Sequence, residues 1–257
     1  MILEGRGVSP GRAEGRALVL DEPFSFLGGV DPATGELIAP GREGNISQRV
    51  LVFPMGRGST VGSYVMLDLV RNGNAPAAII NRGAEPIVTT GAVMTMIPLL
   101  DTIDLSLIED GDLLRVNADT GTVEMPEVHQ VRVVTSVLRN EGRILILQRS
   151  EKVGSYRGRW AGVSGYMEEG ESPLETALRE VSEEVSVHDL DVVSEGTPVQ
   201  VRNEDTVWKI HPFLLEVPDR EIRTDWEHVD HRWILPGEIE EYRTVPGMRR
   251  VLRSLGL

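Results

Sequence analysis

Short apolar runs bounded by turn residues dominate the first half of the chain. Such runs are typical of strands between loops, and we expect four of them, at residues 17–20, 50–53, 77–80 and 113–116. Residues 61–73 (VGSYVMLDLVRNG) predict a helix that is apolar on nearly all sides and ends in a left-handed cap at Gly73. This half is therefore expected to be a mixed β/α domain with one convincing helix.

The second half begins with a hairpin pattern, after which strands, a helix and more strands follow. Residues 131–138 and 143–149 are apolar runs on either side of the polar turn 140–142, which predicts two paired strands. The chain closes on apolar positions at helical spacing, which predict an amphipathic helix: Met248, Val251, Leu252 and Leu255.

The sequence changes character between Glu124 and Gln130. Every histidine and every tryptophan lies at or after His129, whereas the preceding part is rich in glycine. A chain of 257 residues is long enough for two domains, each with its own core. We therefore expect an α/β protein of two domains, at residues 1–126 and 127–257.

A helix with a well-defined start is predicted after residue 172. Ser172 suits the N-cap, Pro173 suits the first helical position, and Glu175 completes a capping box three residues after the cap. A buried apolar stripe is expected along this helix at Leu174, Ala177, Leu178, Val181 and Val185.

Three glutamates on another side of this helix can converge on one point. Glu180, Glu183 and Glu184 stand at i, i+3 and i+4, and like charges repel unless a cation lies between them. A solvated acidic face is the usual interpretation of such a run, but acidic residues late in a helix oppose its dipole, at about 0.3–1 kcal/mol each. Oxygen ligands suit Mg²⁺ or Mn²⁺, so the pattern predicts metal-assisted attack of water on a diphosphate.

The spacing around these glutamates resembles the Nudix box. Gly165 is followed after five residues by Glu171, and after seven more by REVSEE at residues 179–184. The resemblance implies an α/β/α sandwich with a mixed sheet. It also implies hydrolysis of a nucleoside diphosphate that is linked to another group.

The same resemblance assigns roles to individual residues. Glu180, Glu183 and Glu184 would bind the divalent metals and act in catalysis, with the carbonyl of Gly165 as a further metal ligand. Arg179 would also belong to the catalytic set and would form a bracing ion pair with Glu171.

The match departs from the family at Ser186, where the box has glycine. Glycine there would supply positive φ at the helix end, and serine in that conformation costs about 1 kcal/mol. The carboxylates lie upstream, so we expect the serine to affect the stability of the helix exit and not the metal site. The box does not locate a general base. Glu204 and Glu227 are candidates, although a solvated acid is the simpler interpretation of each.

A basic loop with several glycines precedes the box. It contains Lys152, Arg157 and Arg159, and Trp160 starts the next predicted strand. Lys152, Arg157 and Arg159 could bind phosphate and Trp160 could stack on a base, although a tryptophan at a strand start is more often part of the core. Three later histidines lack the spacing of a metal site and are interpreted as structural or surface residues: His211, His228 and His231.

Residues 53–65 (FPMGRGSTVGSYV) run from a predicted strand through a glycine-rich turn into a predicted helix. Backbone N–H groups at a helix N-terminus, next to an arginine, can bind a phosphate or a carboxylate. The spacing matches neither a P-loop nor a dinucleotide fingerprint. Taken alone, the segment can also be only a tight connection.

The wider segment, residues 1–125, resembles the swivel domain of the aconitase X family. The match runs through SFLGGVDPATGE, the glycine-rich turn and GDLLRV. The resemblance implies a β/β/α swivel domain, which is the small subunit of a dehydratase. Such a domain caps a large subunit that carries an iron–sulfur cluster, and the enzyme removes water from mevalonate 5-phosphate.

Carried over by position, Ser59 would be the catalytic serine of this dehydratase. Gly56, Arg57, Gly58 and Thr60 would form the anion-binding loop around it. A serine base needs a perturbed setting, which the helix N-terminus and Arg57 would help to provide. The alternative role for Ser59 is an N-cap.

Composition restricts the partners. A net charge of −14 and a pI near 4.9 exclude a broad basic face, so nucleic acid is not expected. The chain has no cysteine, so an iron–sulfur cluster would be held by a partner large subunit. There is no apolar run of membrane-spanning length, and we expect a cytoplasmic protein without a membrane partner.

The two resemblances imply a dehydratase-type swivel domain fused to a Mg²⁺-dependent Nudix hydrolase. The fusion leads to the hypothesis that both halves serve isoprenoid precursor metabolism. One alternative is a nucleotide-clearing pyrophosphatase for ADP-ribose or nucleoside triphosphates, with Trp160 or Tyr166 stacking on the base. Another alternative is a regulatory subunit that binds a diphosphate without hydrolysing it.

Overall fold

The computed structural model describes residues 1–38 and 43–257. The chain divides into two compact units, Met1–His129 and Gln130–Leu257. The predicted division after residue 126 falls three residues before this one. Within the described residues, no helix is both long enough and apolar enough to cross a membrane.

The first unit is built on one mixed sheet, for which the described residues supply eight strands. These are β1 (Ile2–Glu4), β2 (Arg6–Ser9), β3 (Arg12–Val19), β4 (Val50–Phe53), β5 (Ala78–Asn81), β6 (Leu99–Asp101), β7 (Leu113–Asn117) and β8 (Thr122–Glu124). Their order is β1-β8-β7-β3-β4-β5-β6-β2. The four predicted strands all overlap members of this sheet.

β3 belongs to two differently paired parts of the sheet. Residues 12–16 pair antiparallel with β7, whereas residues 17–19 pair parallel with β4. β4, β5 and β6 continue the parallel part, and the pairs of β1, β8 and β7 are antiparallel. The expectation of a mixed β/α domain is confirmed.

The helices of this unit are α1 (Phe26–Gly29), which is a single turn, α2 (Gly62–Arg71) and α3 (Pro86–Thr95). The predicted left-handed cap after α2 is confirmed, since Gly73 has φ 74°. The expectation that α2 is buried nearly all round is wrong. Met66 and Leu69 are buried, but Tyr64 and Val70 are exposed, so only one face packs on the sheet.

The expectation of one convincing helix is also wrong, because α3 has ten residues. Its sequence, PIVTTGAVMT, is rich in β-branched residues and contains glycine, so helix propensity is low. The helix begins because Pro86 occupies the first position and the Glu85 side chain accepts hydrogen bonds from the N–H groups of Ile87 and Val88, both at 2.8 Å.

Aromatic residues at the end of the parallel strands fix the glycine-rich turn. The rings of Phe24, Phe26 and Phe53 meet edge to face, with centroids 5.1 to 6.2 Å apart. Phe24 donates its N–H to the Met55 carbonyl and accepts from the Arg57 N–H. The turn that follows β4 is therefore attached to the core of the first unit.

The second unit contains a branched sheet and two helices on its faces. Its strands are β9 (His129–Asn140), β10 (Arg143–Arg149), β11 (Trp160–Ala161), β12 (Val163–Tyr166), β13 (Asp191–Glu195), β14 (Val199–Asn203), β15 (Thr206–Glu216) and β16 (His228–Ile234). The main path is β11-β10-β9-β15-β13, and β12, β14 and β16 pair with β9, β15 and β10. The helices are α4 (Pro173–Val185) and α5 (Met248–Ser254).

Alternate residues of the central strands enter two separate cores. Ile144 and Ile146 of β10 pack in one core with α5, whereas Leu145 and Leu147 pack in the other with α4. One helix therefore covers each face of the sheet, and the predicted α/β/α sandwich is confirmed. Met248, Val251 and Leu252 of α5 are buried, as its spacing predicted.

The local features predicted around α4 are present. Ser172 caps the helix, the capping box with Glu175 is formed, and Pro173 occupies the first turn. Ser186 ends the helix in the left-handed conformation, with φ 56° and ψ 32°. Glu141 and Gly142 also have positive φ, 47° and 75°, which suits the two-residue turn between β9 and β10.

The buried stripe of α4 differs in part from the prediction. Ala177, Val181 and Val185 are buried, but Leu174 and Leu178 are each 38% exposed. The remaining buried positions are Thr176 and Glu184. A carboxylate therefore takes a position on the protected side of the helix.

Candidate functional site

Arg179 connects the carboxylates of α4 in one ion-pair network. Its Nε lies 3.0 Å from Glu171 Oε1 and its Nη2 lies 3.1 Å from Glu171 Oε2, so the bracing pair expected from the sequence is bidentate. Its Nη1 donates to Glu180 at 2.8 Å and to Glu183 at 3.3 Å. The hydrogen bond from Arg179 is the main cause that lowers the pKa of Glu171 to about 2.

Glu184 is the most buried of the three clustered glutamates, with 5% of the residue exposed. Its Oε2 finds no hydrogen-bond partner among the described residues, and His228 Nε2 lies 3.6 Å away. Burial, followed by the charges of Glu180, Glu227 and Asp225, raises the pKa of Glu184 well above its ordinary value. A cation beside this carboxylate would relieve both its desolvation and the repulsion.

Glu180 approaches the backbone of β12 because residue 165 has no side chain. A Cβ at Gly165 would lie under 3.0 Å from the carboxylate carbon and both carboxylate oxygens of Glu180. Burial is the main cause that raises the pKa of Glu180, and the charge of Arg179 opposes it. The glycine at the start of the box therefore makes room for a carboxylate.

The donor set fits a hard divalent cation in its chemistry. It offers the carboxylates of Glu180, Glu183 and Glu184 and a neighbouring backbone carbonyl at Gly165, which are oxygen ligands of the kind that Mg²⁺ and Mn²⁺ accept. Within residues 1–38 and 43–257, no three His, Asp or Glu side chains surround one point as preformed ligands. Glu180 and Glu183 instead both contact Arg179.

A cavity of about 400 Å³ opens onto these carboxylates. Its lining includes Arg179, Glu180, Glu183, Glu184 and also Glu227. One of the two general-base candidates therefore faces the site. Glu204, the other, lies exposed in the turn between β14 and β15 with φ 54° and is not among the lining residues described for this cavity.

The glycine-rich turn of the first unit presents an exposed loop before α2. Arg57, Gly58, Ser59 and Thr60 are all exposed, while Gly56 is buried. Ser59 Oγ accepts a hydrogen bond from the Val61 N–H at 3.3 Å. The hydroxyl is accessible to a ligand, and it also makes the local bond that an N-terminal cap would make.

Two family models match the chain, one in each unit. The aconitase X swivel domain matches residues 2–125. The phosphomevalonate dehydratase small subunit of Pyrococcus abyssi is 51% identical over 128 residues, which are 49% of this chain and 98% of that protein. The chain belongs to the aconitase X swivel family. The NUDIX domain matches residues 128–255, so a phosphomevalonate dehydratase small-subunit-like domain is fused here to a Nudix domain.

Solved structures resemble each half of this swivel–Nudix fusion. The holo-form of Thermococcus kodakaraensis aconitase X is 48% identical with a TM-score of 0.48, over 49% of this chain and 98% of that one. The MutT protein of Methanosarcina mazei Go1 is 24% identical with a TM-score of 0.45, over 51% of this chain and 99% of that one. Each likeness covers about half of the fusion.

The structure corrects one expectation for the loop before the Nudix box. Trp160 is only 8% exposed and packs in the α5-side core against Tyr242, with ring centroids 5.3 Å apart. It therefore cannot stack on a ligand in the cavity. Arg157 is exposed and donates its Nε to the Val153 carbonyl, and its role in binding phosphate stays a prediction. Arg149 is among the residues that line the cavity.

The support behind Glu184 comes from a segment that the Nudix box does not include. His228 is buried, in agreement with a structural role, and its ring lies between Glu184 and Asp225, with Nδ1 3.2 Å from Asp225 Oδ1. Burial lowers the pKa of His228. The Asp225 N–H also donates to the Glu184 carbonyl at the end of α4. Only the short spacing of Asp225, Glu227 and His228 could have drawn attention to this segment.

Proposed function

We propose that the Nudix half hydrolyses a diphosphate linkage with Mg²⁺ or Mn²⁺. The observation that carries this proposal is the buried Glu184 carboxylate, with an oxygen that has no hydrogen-bond partner in the described structure, beside Glu180 and Glu183 at an open cavity. The bound cation would neutralise phosphate charge and activate water. Glu180, Glu183 and Glu184 would hold it, with the carbonyl of Gly165 as a further ligand.

Other residues of the cavity would orient these groups and move the proton. Arg179 holds Glu180 and Glu183 in place through its bidentate anchor on Glu171. Glu227 faces the same cavity and is the carboxylate that we assign to accept a proton from the attacking water. Arg149, which also lines the cavity, would contact the diphosphate.

Phosphate release by the purified chain from a panel of nucleoside and isoprenoid diphosphates, with and without Mg²⁺, tests this hydrolase proposal. Glu184→Gln should lower turnover by at least about 100-fold, as loss of a group that stabilises transition-state charge does. Glu204→Gln is the matched control, because this glutamate is exposed and lies outside the cavity, and it should leave turnover unchanged. Equal activity of the two variants would overturn the proposal.

We also propose that the swivel half acts as the small subunit of a dehydratase. Its support is the 51% identity with the Pyrococcus abyssi phosphomevalonate dehydratase small subunit and the accessible Ser59 beside Arg57. The chain contains no cysteine, so the iron–sulfur cluster would belong to a separate large subunit. Ser59 would act as the catalytic base, with Gly56, Arg57, Gly58 and Thr60 binding the phosphate of the substrate.

Dehydration of mevalonate 5-phosphate by the full chain, with and without an aconitase X large subunit, tests this second proposal. The chain alone should be inactive, and the mixture should be active. Ser59→Ala should abolish that activity, whereas Ser106→Ala, at an exposed serine in the 3₁₀ turn Leu105–Leu107, should not. Activity of the Ser59 variant would refute the assigned role.

The dehydratase relative also supports a common pathway for the two halves. A phosphomevalonate-related small subunit suggests isoprenoid precursor metabolism, and the Nudix half would then act on a diphosphate of the same metabolism. The alternative substrate is ADP-ribose or a nucleoside triphosphate. Its proposed stacking residue Trp160 is buried, which leaves Tyr166 as the aromatic residue for that role.

A further inference from the structure

The cavity beside the carboxylates has a second wall of different chemistry. It is formed by residues of β9, β12, β14 and β15 and by the loop before α5: Val133, Tyr166, Val201, Trp208, Ile210 and Val245. Five of these side chains are hydrocarbon or indole, and the sixth is a phenol. This wall is continuous with the carboxylates of α4, since both line one cavity.

The pairing of the strands fixes this apolar wall. Val133 of β9 lies opposite Tyr166 of β12, and Val201 of β14 lies opposite Trp208 of β15. The rings of Tyr166 and Trp208 have centroids 5.7 Å apart and an angle of 54° between their planes. Cross-strand pairs of this kind hold the wall without help from a ligand.

Three polar side chains that line the cavity are already hydrogen-bonded or are inaccessible, whereas Ser155, Tyr156 and Glu168 supply further polar groups. The hydroxyls of Thr135 and Ser164 lie 2.9 Å apart and bond to one another, and Ser164 also donates to the Gly162 carbonyl. Trp208 Nε1 is buried and has no partner among the described residues, so the indole cannot offer its N–H to a ligand without moving. Among the described lining residues there is no Asn, Gln or Asp.

A nucleobase needs donors and acceptors along its edge, and sites that select a base supply them. This wall supplies apolar surface instead. The cavity of about 400 Å³ also lies near the small end of the roughly 300–1,000 Å³ found for ligand pockets. A short hydrocarbon group fills such a space without leaving polar atoms unpaired.

We propose that the organic group of the Nudix substrate is a short hydrocarbon chain, which packs on Tyr166 and Trp208 while its diphosphate faces the carboxylates. This inference rests on the proposed hydrolase function. One water attacks the terminal phosphorus, and the bond from this phosphorus to the bridging oxygen breaks. The products are the alkyl monophosphate and inorganic phosphate, and the carboxylate of Glu227 accepts a proton from the water.

Phosphate release from four probes with Mg²⁺ tests the inference: isopentenyl diphosphate, methyl diphosphate, ADP and ADP-ribose, with a phosphatase added to detect phosphate from the ADP-ribose products. Each buried methylene group is worth roughly a four-fold gain in affinity, so the four additional carbons of isopentenyl diphosphate should raise kcat/KM roughly 250-fold over methyl diphosphate. Both nucleotides should be poorer substrates than isopentenyl diphosphate. Faster turnover of either nucleotide would overturn the inference and leave the hydrolase proposal intact.

Variants at Tyr166 separate recognition of the substrate's hydrocarbon chain from folding of the protein. Tyr166 is 60% exposed, so Tyr166→Ala should fold, and it should raise KM for isopentenyl diphosphate about ten-fold with kcat unchanged. Tyr166→Phe should retain the wild-type KM, and methyl diphosphate should be unaffected by either change. Tyr64→Ala, at an exposed tyrosine of the first unit, is the control. An unchanged KM in Tyr166→Ala would contradict the inference.

If the wild-type protein hydrolyses none of the probes, the hydrolase proposal fails. Calorimetry then still tests whether the cavity prefers a hydrocarbon group. Isopentenyl diphosphate should then bind more tightly than ADP, with a negative heat-capacity change from apolar burial. Equal or weaker binding of isopentenyl diphosphate would overturn the inference as well.

Discussion

Replacement of Gly165 by alanine tests the carboxylate geometry directly. The new Cβ would lie under 3.0 Å from three carboxylate atoms of Glu180, whereas carbon atoms in ordinary contact are about 3.5–4.0 Å apart. The carboxylate must therefore retreat by roughly 1 Å or more. Because the clash involves the end of a flexible side chain, the fold can absorb the change while the site cannot.

A misplacement of about 1 Å at a reacting group can cost roughly 100-fold in rate. We expect Gly165→Ala to lower kcat by about that factor and to raise the Mg²⁺ concentration needed for half-maximal activity. The assay is phosphate release over a Mg²⁺ titration, with thermal unfolding measured on the same samples. The melting temperature should stay within about 4 °C, which corresponds to roughly 1 kcal/mol for a domain of this size.

Gly237→Ala is the matched control for this substitution. Gly237 belongs to the same unit, and its added Cβ would meet no atom within 4 Å, so activity and metal dependence should match the wild type. The reasoning is refuted if Gly165→Ala retains a third or more of the wild-type rate with an unchanged Mg²⁺ requirement. Loss of activity in both variants would point to a general effect of the added methyl group.

Three further substitutions test features around the site. Ser186→Gly removes a serine held at φ 56° and should stabilise the protein by about 1 kcal/mol, or roughly 4 °C in melting temperature; a lower melting temperature would contradict the proposed strain. Glu171→Gln removes a carboxylate whose pKa is held at about 2, mainly by Arg179. That stabilisation is complete above the ordinary pKa of 4.5 and is lost as the pH falls towards 2, so the wild type should lose more stability than the variant between about pH 5 and pH 2. Parallel acid-unfolding curves would refute this. Trp160→Ala should cost about 3–5 kcal/mol in chemical unfolding because it leaves a cavity in the core; full stability with a selective loss of nucleotide turnover would restore the base-stacking interpretation.

The elements around α4 could be predicted because several independent signals agree there. A serine cap, a proline in the first turn, a capping box and an apolar stripe all specify the same helix, and the Nudix spacing places the carboxylates on it. Each signal is local in sequence. The helix start, the left-handed exit at Ser186 and the pair between Glu171 and Arg179 were therefore accessible without coordinates.

Features that depend on distant pairing were not accessible in this way. His228 reaches Glu184 from a strand that begins over forty residues later, and no spacing rule connects the two. The burial of Trp160 depends on Tyr242, which comes from the segment before α5. α3 was missed because its own residues disfavour a helix, and its start depends on one hydrogen-bonded cap at Glu85.

The pairing of β1 with β8 also constrains the order in which the fusion folds during synthesis. Ile2 lies opposite Glu124, so β1 has no partner until the ribosome has added the intervening residues. At about 5–20 residues per second this takes roughly 6–25 s, and during that time the edge of β1 is open to other strands. The hairpin of β9 and β10 needs only the turn at Glu141 and Gly142 and can pair as soon as it emerges. The half that is made first is therefore the half whose nascent chain depends longer on protection from aggregation.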